Sequence, residues 1–175
     1  MKELYEKYGE NTFSRIQAIF ASFFVLQNRI QTAYEKDQDD LTMKQWLLLA
    51  MVMACPEPHT LTNVSLYMGC SRQNTKQLAM ALSKKGYVRL VLGANNSVNI
   101  ELTEKVIDYE KKMSERNTEV LRILFSDFSE EEISLLYQLY KKLYTGVEQI
   151  ERGAGALSTQ PPSSADGAGA LPGKV

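Results

Sequence analysis

Chemically versatile side chains are scarce in this chain: its 175 residues include one histidine, two cysteines and one tryptophan. His59, between Pro58 and Thr60, has no second imidazole or nearby cysteine with which to hold a metal and no nucleophile to activate. It reads as a solvent-facing loop residue. Cys55 and Cys70 show no ligand spacing and are expected to be free thiols. Neither a phosphate-cradling glycine loop nor a nucleophile motif is visible. Carboxylate groups such as Asp39-Asp40 and Glu130–Glu132 stand at helix starts, where they favour the macrodipole. The expectation is a protein without enzymatic activity, cofactor or metal. Long apolar runs are missing too. The richest patch, Ile16 to Leu26, is interrupted by Gln17 and Ser22 and falls short of the roughly 18–20 residues that a membrane span needs. The first residues, MKELYEKYGEN, lack the basic-then-apolar pattern of a secretory signal, so a cytoplasmic location is expected.

One further absence is local. Between Glu57 and Glu101 there is no acidic residue, although the whole chain carries 21. An average window of this size would hold roughly five. Arg72, Lys76, Lys84, Lys85 and Arg89 give the same stretch a charge of +5 within a chain of net charge −1. A near-neutral protein that segregates positive charge in this way offers a field suited to a phosphate backbone.

The acid-free stretch also carries a pattern. Gly69 supplies the permissive backbone of a tight turn, and Ser71 can cap a helix by accepting from a free N–H two or three residues on. Thr75, Leu78, Ala79 and Leu82 follow at helical spacing as one buried stripe. The opposite face holds Arg72, Gln73, Asn74, Lys76 and Gln77, side chains able to read base edges: Asn and Gln bidentate to adenine, Arg and Lys to guanine. In the helix before the turn, Ser65 is small where the two helices pass, while Val64 and Met68 supply apolar contacts. After Lys85-Gly86 the period changes. Tyr87 to Leu92 has strand composition, Gly93-Ala94-Asn95-Asn96 is a turn, and Ser97 to Leu102 alternates polar and apolar as a second strand. Residues 60–103 thus read as a helix-turn-helix with a wing.

Helices flank this core. Residues 13–36 form a long one with Ile16, Phe20, Phe23, Ile30 and Tyr34 near one stripe. Thr42-Met43-Lys44-Gln45 is a capping box for a second, carrying Trp46, Leu47, Leu49 and Ala50 and ending at Cys55-Pro56. Thr103 opens a helix through about Phe125, and Ser129-Glu130-Glu131-Glu132 caps a last one. There Ile133, Leu136, Tyr140, Leu143, Val147 and Ile150 recur in steps of three and four, a narrow seam of coiled-coil type. A seam of this kind can dock on its own domain or on a second copy; a homodimer is favoured, because two winged helices related by a dyad double the contacts on a palindrome. The fold class is mainly α with a small two-stranded β wing. One domain covers residues 1–151, with dimerisation helices at 13–36 and 104–150. Residues 152–175, rich in Gly, Ala, Ser and Pro and containing GAGAL twice, read as a disordered tail.

The order of elements, together with LTMKQWLLL from Leu41, SRQNTKQLAMALSKKGYV from Ser71 and ELTEK from Glu101, resembles the MarR family of bacterial transcription regulators. The resemblance covers roughly Phe13 to Ile150. It implies a homodimer held by the terminal helices, double-stranded DNA as partner, the second helix of the motif in the major groove, and in many members release of DNA by a small, often aromatic, effector. On these positions Arg72, Gln73, Asn74, Lys76 and Gln77 are the expected readers, with Ser71, Lys84, Lys85 and Arg89 positioning the backbone. Phe20, Phe24, Met43, Trp46 and Tyr67 are candidates to line an effector pocket, though at helical spacing such residues are commonly plain core. The wing departs from the family. Its tip, Gly93 to Ser97, has neither the Asp nor the Arg common in members, which leaves Asn95 and Asn96 for an uncharged contact. Two other readings stay open: a winged-helix interaction module with weak or lost DNA binding, and a thiol switch at Cys70. That cysteine stands in the apolar place before the Ser71 cap and is expected as a buried structural thiol.

Overall fold

Side chains that occupy orphaned backbone N–H groups set the helix starts. The computed structural model describes residues 11–36 and 40–157. Asn11 accepts from the Ser14 N–H at 2.9 Å and opens α1 (Thr12–Glu35). At the start of α2 (Met43–Ala54), Thr42 and Gln45 form the capping box read from sequence, each side chain bonded to the other's backbone N–H, at 3.3 and 3.2 Å. Thr60 caps α3 (Leu61–Met68) through the Asn63 N–H at 3.0 Å, and Ser71 caps α4 (Arg72–Lys84) through the Asn74 N–H at 3.2 Å. Each cap of this kind is worth about 1 kcal/mol. Between α3 and α4, Gly69 sits at φ 60°, the left-handed conformation that a helix-ending turn requires and that a Cβ would strain.

A left-handed Gly86, φ 81°, then ends the run of helices and starts an antiparallel hairpin. Strand β1 (Val88–Leu92) pairs with β2 (Val98–Leu102) so that Leu90 faces Ile100 and Leu92 faces Val98. A 3-10 turn at Ala94–Asn96 joins them, with Asn95 and Asn96 at φ 55° and 57°. Asparagine tolerates that region better than other side chains do. Both strands begin one residue later than the sequence suggested, because Tyr87 and Ser97 are spent on the turns into them. Two long helices follow, α5 (Glu104–Leu124) and α6 (Glu130–Leu157).

The chain divides into two compact units, one up to Ser114 and one from Glu115. The first has a single core in which Leu48, Leu49 and Val52 of α2 meet Leu61 and Val64 of α3, Ala79 and Leu82 of α4, Val88 and Ile100 of the hairpin, and Val106, Tyr109 and Met113 of α5. Burying a Leu or Ile in such a core contributes about 1.5–3 kcal/mol. Of the residues named on α2 from sequence, Trp46, Leu47, Leu49 and Ala50, Leu49 is fully buried and the others are half-buried. The inward face of the helix is made by Gln45, Leu48, Leu49 and Val52. The ends of the core stripe on α4, Thr75 and Leu82, lie where they were expected.

Tyr87, only 1% exposed, joins this core to a polar tether. Its ring meets Tyr109 edge-on, with centroids 5.6 Å apart, and carries the Lys105 ammonium 4.4 Å from its centroid. Its hydroxyl donates to the Asp40 carboxylate. Burial, and then the hydrogen bond and charge of Asp40, hold the phenol well above its ordinary range.

In the second unit Ser129 and Glu132 close the capping box read from sequence: the Ser129 N–H donates to Glu132 at 2.9 Å and the Glu132 N–H to Ser129 Oγ at 3.2 Å. Helix α6 does not stop at Ile150. It runs through Arg152, bonded to Glu148 at 3.2 Å, to Leu157, so residues 152–157, assigned from sequence to a disordered tail, are helical and include the first GAGAL. Alanine and leucine within GAGAL are strong helix formers, which offsets its glycines. Residues beyond 157, like Asp39 and residues 1–10, lie outside the described residues. Among the described residues no helix is long and apolar enough to cross a membrane.

Candidate nucleic-acid interface

Helix α4 presents two unlike faces. Thr75, Ala79 and Leu82 are fully buried, while Arg72, Gln73, Asn74, Lys76 and Gln77 are all exposed. None of these five side chains has a salt bridge or side-chain hydrogen bond among the described residues, so their donors and acceptors are available to a ligand. The first turn of α4 contains no acid and begins with Arg72. A cation there opposes the helix dipole and costs stability, by about 0.3–1 kcal/mol. Helix α6 shows the ordinary solution, with Glu130, Glu131 and Glu132 in its first turn. The N-terminus of α4 therefore combines free N–H groups, the positive dipole end and a guanidinium, an arrangement that an anion would relieve.

Ser71 serves two purposes. Its Oγ accepts from the Asn74 N–H, and its hydroxyl hydrogen is left for another acceptor. Behind it, the Thr75 hydroxyl donates to the Ser71 carbonyl at 3.3 Å and lies 3.3 Å from the Cys70 thiol. Cys70 is thus half-buried and hydrogen-bonded, not the fully buried apolar filler that its position suggested. His59 is also more involved than a solvent-facing loop residue: it is half-buried, its Nε2 donates to the Cys55 carbonyl at 2.9 Å, and its own carbonyl accepts from the Ile100 N–H at 2.9 Å.

The flanking cations separate into different environments. Lys84 is exposed with no partner among the described residues. Lys85 bends back, its ammonium donating to the Asp40 carbonyl and, at 3.0 Å, to the buried Gln45 side chain. That ammonium therefore holds the segment before α2 against the end of α4. Arg89 is 71% exposed but pairs with Glu101 across the hairpin at 3.4 Å. Opposite residues of an antiparallel pair project from one face, and this register brings the acid that ends the acid-free stretch onto its last cation. Sequence spacing revealed neither partnership, because both partners lie outside the acid-free stretch and only the fold brings them back. At the wing tip Asn95 and Asn96 are exposed, and Leu92 beside them is 81% exposed. The tip is neutral and partly apolar.

Residues proposed for dimerisation lie on both long terminal helices. Ile16 and Phe20 of α1 are exposed and Phe23 is half-buried. On α6, Ile133, Tyr140, Leu143, Val147 and Ile150 are exposed, Leu136 is half-buried, and no described residue of that helix is buried. The apolar surface of α6 is broader than the predicted seam, since Leu135, Tyr137, Leu139 and Tyr144 are exposed as well.

A cavity of about 710 Å³ lies among α1, α2 and the α3–α4 turn, and Met43, Met68 and Cys70 are among its lining residues. Of the aromatic and sulfur side chains considered for an effector pocket, only Met43 lines it. Phe20, Phe24 and Tyr67 face solvent, and Trp46 packs towards Tyr34, with ring centroids 6.1 Å apart.

No protein-family model matches the chain, and no curated protein matches it by sequence. Solved structures do. A MarR/EmrR family transcriptional regulator from Acinetobacter sp. ADP1 superposes with a TM-score of 0.65 at 22% identity, over 76% of this chain and 96% of that one. MepR of S. aureus, solved as a complex with DNA, gives 0.60 at 19% identity, over 79% and 99%. PcaV of Streptomyces coelicolor, solved with its natural ligand, gives 0.58 at 13% identity, over 79% and 95%. The chain has the winged-helix fold of the MarR-family transcriptional regulators.

Proposed function

We propose that this protein is a sequence-specific, double-stranded DNA-binding transcription regulator that acts as a homodimer on a palindromic operator, represses transcription there and is released by a small ligand. The observation that carries this reading is the exposed face of α4: five polar side chains with no partner among the described residues, on a helix whose first turn has no acid and whose N-terminus has free N–H groups. Arg72, Gln73, Asn74, Lys76 and Gln77 then read bases and adjacent phosphates, while Ser71 and Lys84 fix the backbone. The exposed apolar surfaces of α1 and α6 are the dimerisation surfaces, because large contiguous apolar patches on a single chain mark interaction sites. That MepR was solved on DNA and PcaV with a ligand supports the same assignment for a chain of like fold.

Selection of genomic fragments by the purified chain tests the proposal. The expected result is a palindromic consensus bound at least about 1,000-fold more tightly than random duplex, with affinity falling steeply in salt. One observation favours a second reading, an interaction module with weak DNA binding: the wing has an uncharged tip and its one arginine is paired with Glu101. Binding that discriminates among no fragments even at low salt would select that module instead.

A further inference from the structure

The exposed face of α4 carries one side chain that its amides and cations do not account for. Met80 is 44% exposed and is the only apolar residue among the exposed residues of that helix. Helical geometry fixes its place. At about 100° per residue, Met80 comes within about 20° of Gln73, two turns earlier, and within about 40° of Lys76 and Lys84, one turn to either side. It stands near the middle of the exposed arc, and a shallow surface hollow is lined by Met80 together with Arg72, Gln73, Lys76 and Gln77. We propose that Met80 is a specificity-determining residue that covers the 5-methyl group of a thymine in the major groove; this rests on the proposed DNA-reading role of α4. Base edges in that groove offer donors and acceptors, which Arg, Lys, Asn and Gln can pair, and thymine alone adds a methyl group, which an apolar contact recognises. A polar side chain over that methyl would give up its water for nothing, whereas a thioether gains the buried apolar area. The unbranched methionine chain adjusts to the methyl's position. With Gln73 and Lys76 on bases and Lys84 on phosphate, Met80 lies inside the covered footprint, so DNA must match its apolar surface. Seven residues of helix separate it from Gln73, about 10 Å along the axis, which sets the thymine no more than about three base pairs from the base that Gln73 reads.

Uracil differs from thymine by that methyl alone, which makes the contact testable. The probe is a duplex carrying the consensus that the full chain selects from genomic fragments, synthesised with each thymine replaced in turn by uracil. Fluorescence anisotropy compares the parent with Met80→Ala, a change at an exposed site to the best helix former, which should melt with the parent. At one thymine of each half-site the parent should lose about fourfold in affinity for each methyl removed. Met80→Ala should bind the thymine and uracil duplexes there alike. Met80→Leu, which stays apolar, should keep the discrimination. At every other thymine the replacement should act equally on parent and variant, so the comparison cancels any effect of uracil on the duplex itself. A Met80→Ala loss of the same size on thymine and uracil duplexes at every position would put Met80 against sugar and phosphate and overturn the proposal, while leaving base reading by α4 intact. So would a variant that binds every duplex as the parent does. A parent that selects no consensus and binds all fragments alike would instead refute base reading by α4, and the thymine contact with it.

Discussion

Lys84 and Lys85 are neighbours of like charge, yet the structure gives them different surroundings, and replacing each with alanine should separate them. The Lys84 ammonium has no partner among the described residues, and in the proposed homodimer on DNA it would meet phosphate twice. Its removal should flatten the dependence of log K on log salt by about 0.9 per lost contact, or about 1.8 per dimer, and weaken specific and random duplexes alike. Thermal stability should not change. Lys85 holds the Asp40 carbonyl and Gln45. Truncating it removes two charge-assisted bonds, but Gln45 keeps its bond from the Thr42 N–H at 3.2 Å, so no buried acceptor is left empty. Partial hydration of the exposed ammonium discounts the loss further, to about 1 kcal/mol, or a fall in Tm of roughly 2–4 °C for a chain of this size. The salt slope should stay near that of the parent. Fluorescence anisotropy at several salt concentrations and a thermal melt on the same preparations read both quantities. If Lys85→Ala flattened the salt slope as much as Lys84→Ala and melted with the parent, the inward assignment of Lys85 would be wrong.

Gln73→Ala should lose about 1–3 kcal/mol on the selected operator and almost nothing on random duplex, so the ratio of the two affinities falls; equal losses on both would remove Gln73 from base reading. Leu143→Asp places a charge within the α6 seam and should convert the proposed dimer to monomer at micromolar concentration in sedimentation equilibrium, whereas an unchanged mass would move the interface elsewhere. Tyr87 makes stability depend on pH in a defined direction. Its folded pKa is raised above the ordinary value near 10, so its contribution is complete below pH 10 and is lost as pH climbs beyond that. Melting curves from pH 8 to 11 should show a decline that Tyr87→Phe reduces, and an identical decline in the variant would exclude this phenol as its source.

Much of the fold was legible because its signals are local. Capping boxes at Thr42 and Ser129, the glycines at 69 and 86, and the change of period after Gly86 each depend on residues within a few positions of one another, and each recurs in the structure. The exposed face of α4 was legible for the same reason: once Thr75, Ala79 and Leu82 are inside, helical geometry puts Arg72, Gln73 and Lys76 outside. Partnerships between distant residues were not legible. Lys85 with Asp40, Tyr87 with Asp40, and Arg89 with Glu101 join positions 45, 47 and 12 residues apart, respectively. No periodicity encodes them, so a run that looked like five equivalent cations contains one structural tether and one pair. The inward face of α2 was not legible for another reason: an almost wholly apolar helix, MKQWLLLAMVMA, has no polar side to orient it.

The cap at Ser71 limits which residues that position can accept. Serine, threonine, asparagine and aspartate are nearly interchangeable as helix caps, so selection for folding alone would admit an acid. An acid that caps α4 would also bring negative charge to the end of the helix proposed to approach phosphate, and a hydroxyl that accepts from the Asn74 N–H would become a group that can only accept. Under the proposed DNA-reading role of α4, Ser71→Asp is therefore expected to leave folding intact and to weaken DNA binding. Position 71 is where the requirements of the helix and those of its proposed ligand can be told apart by one side chain's chemistry.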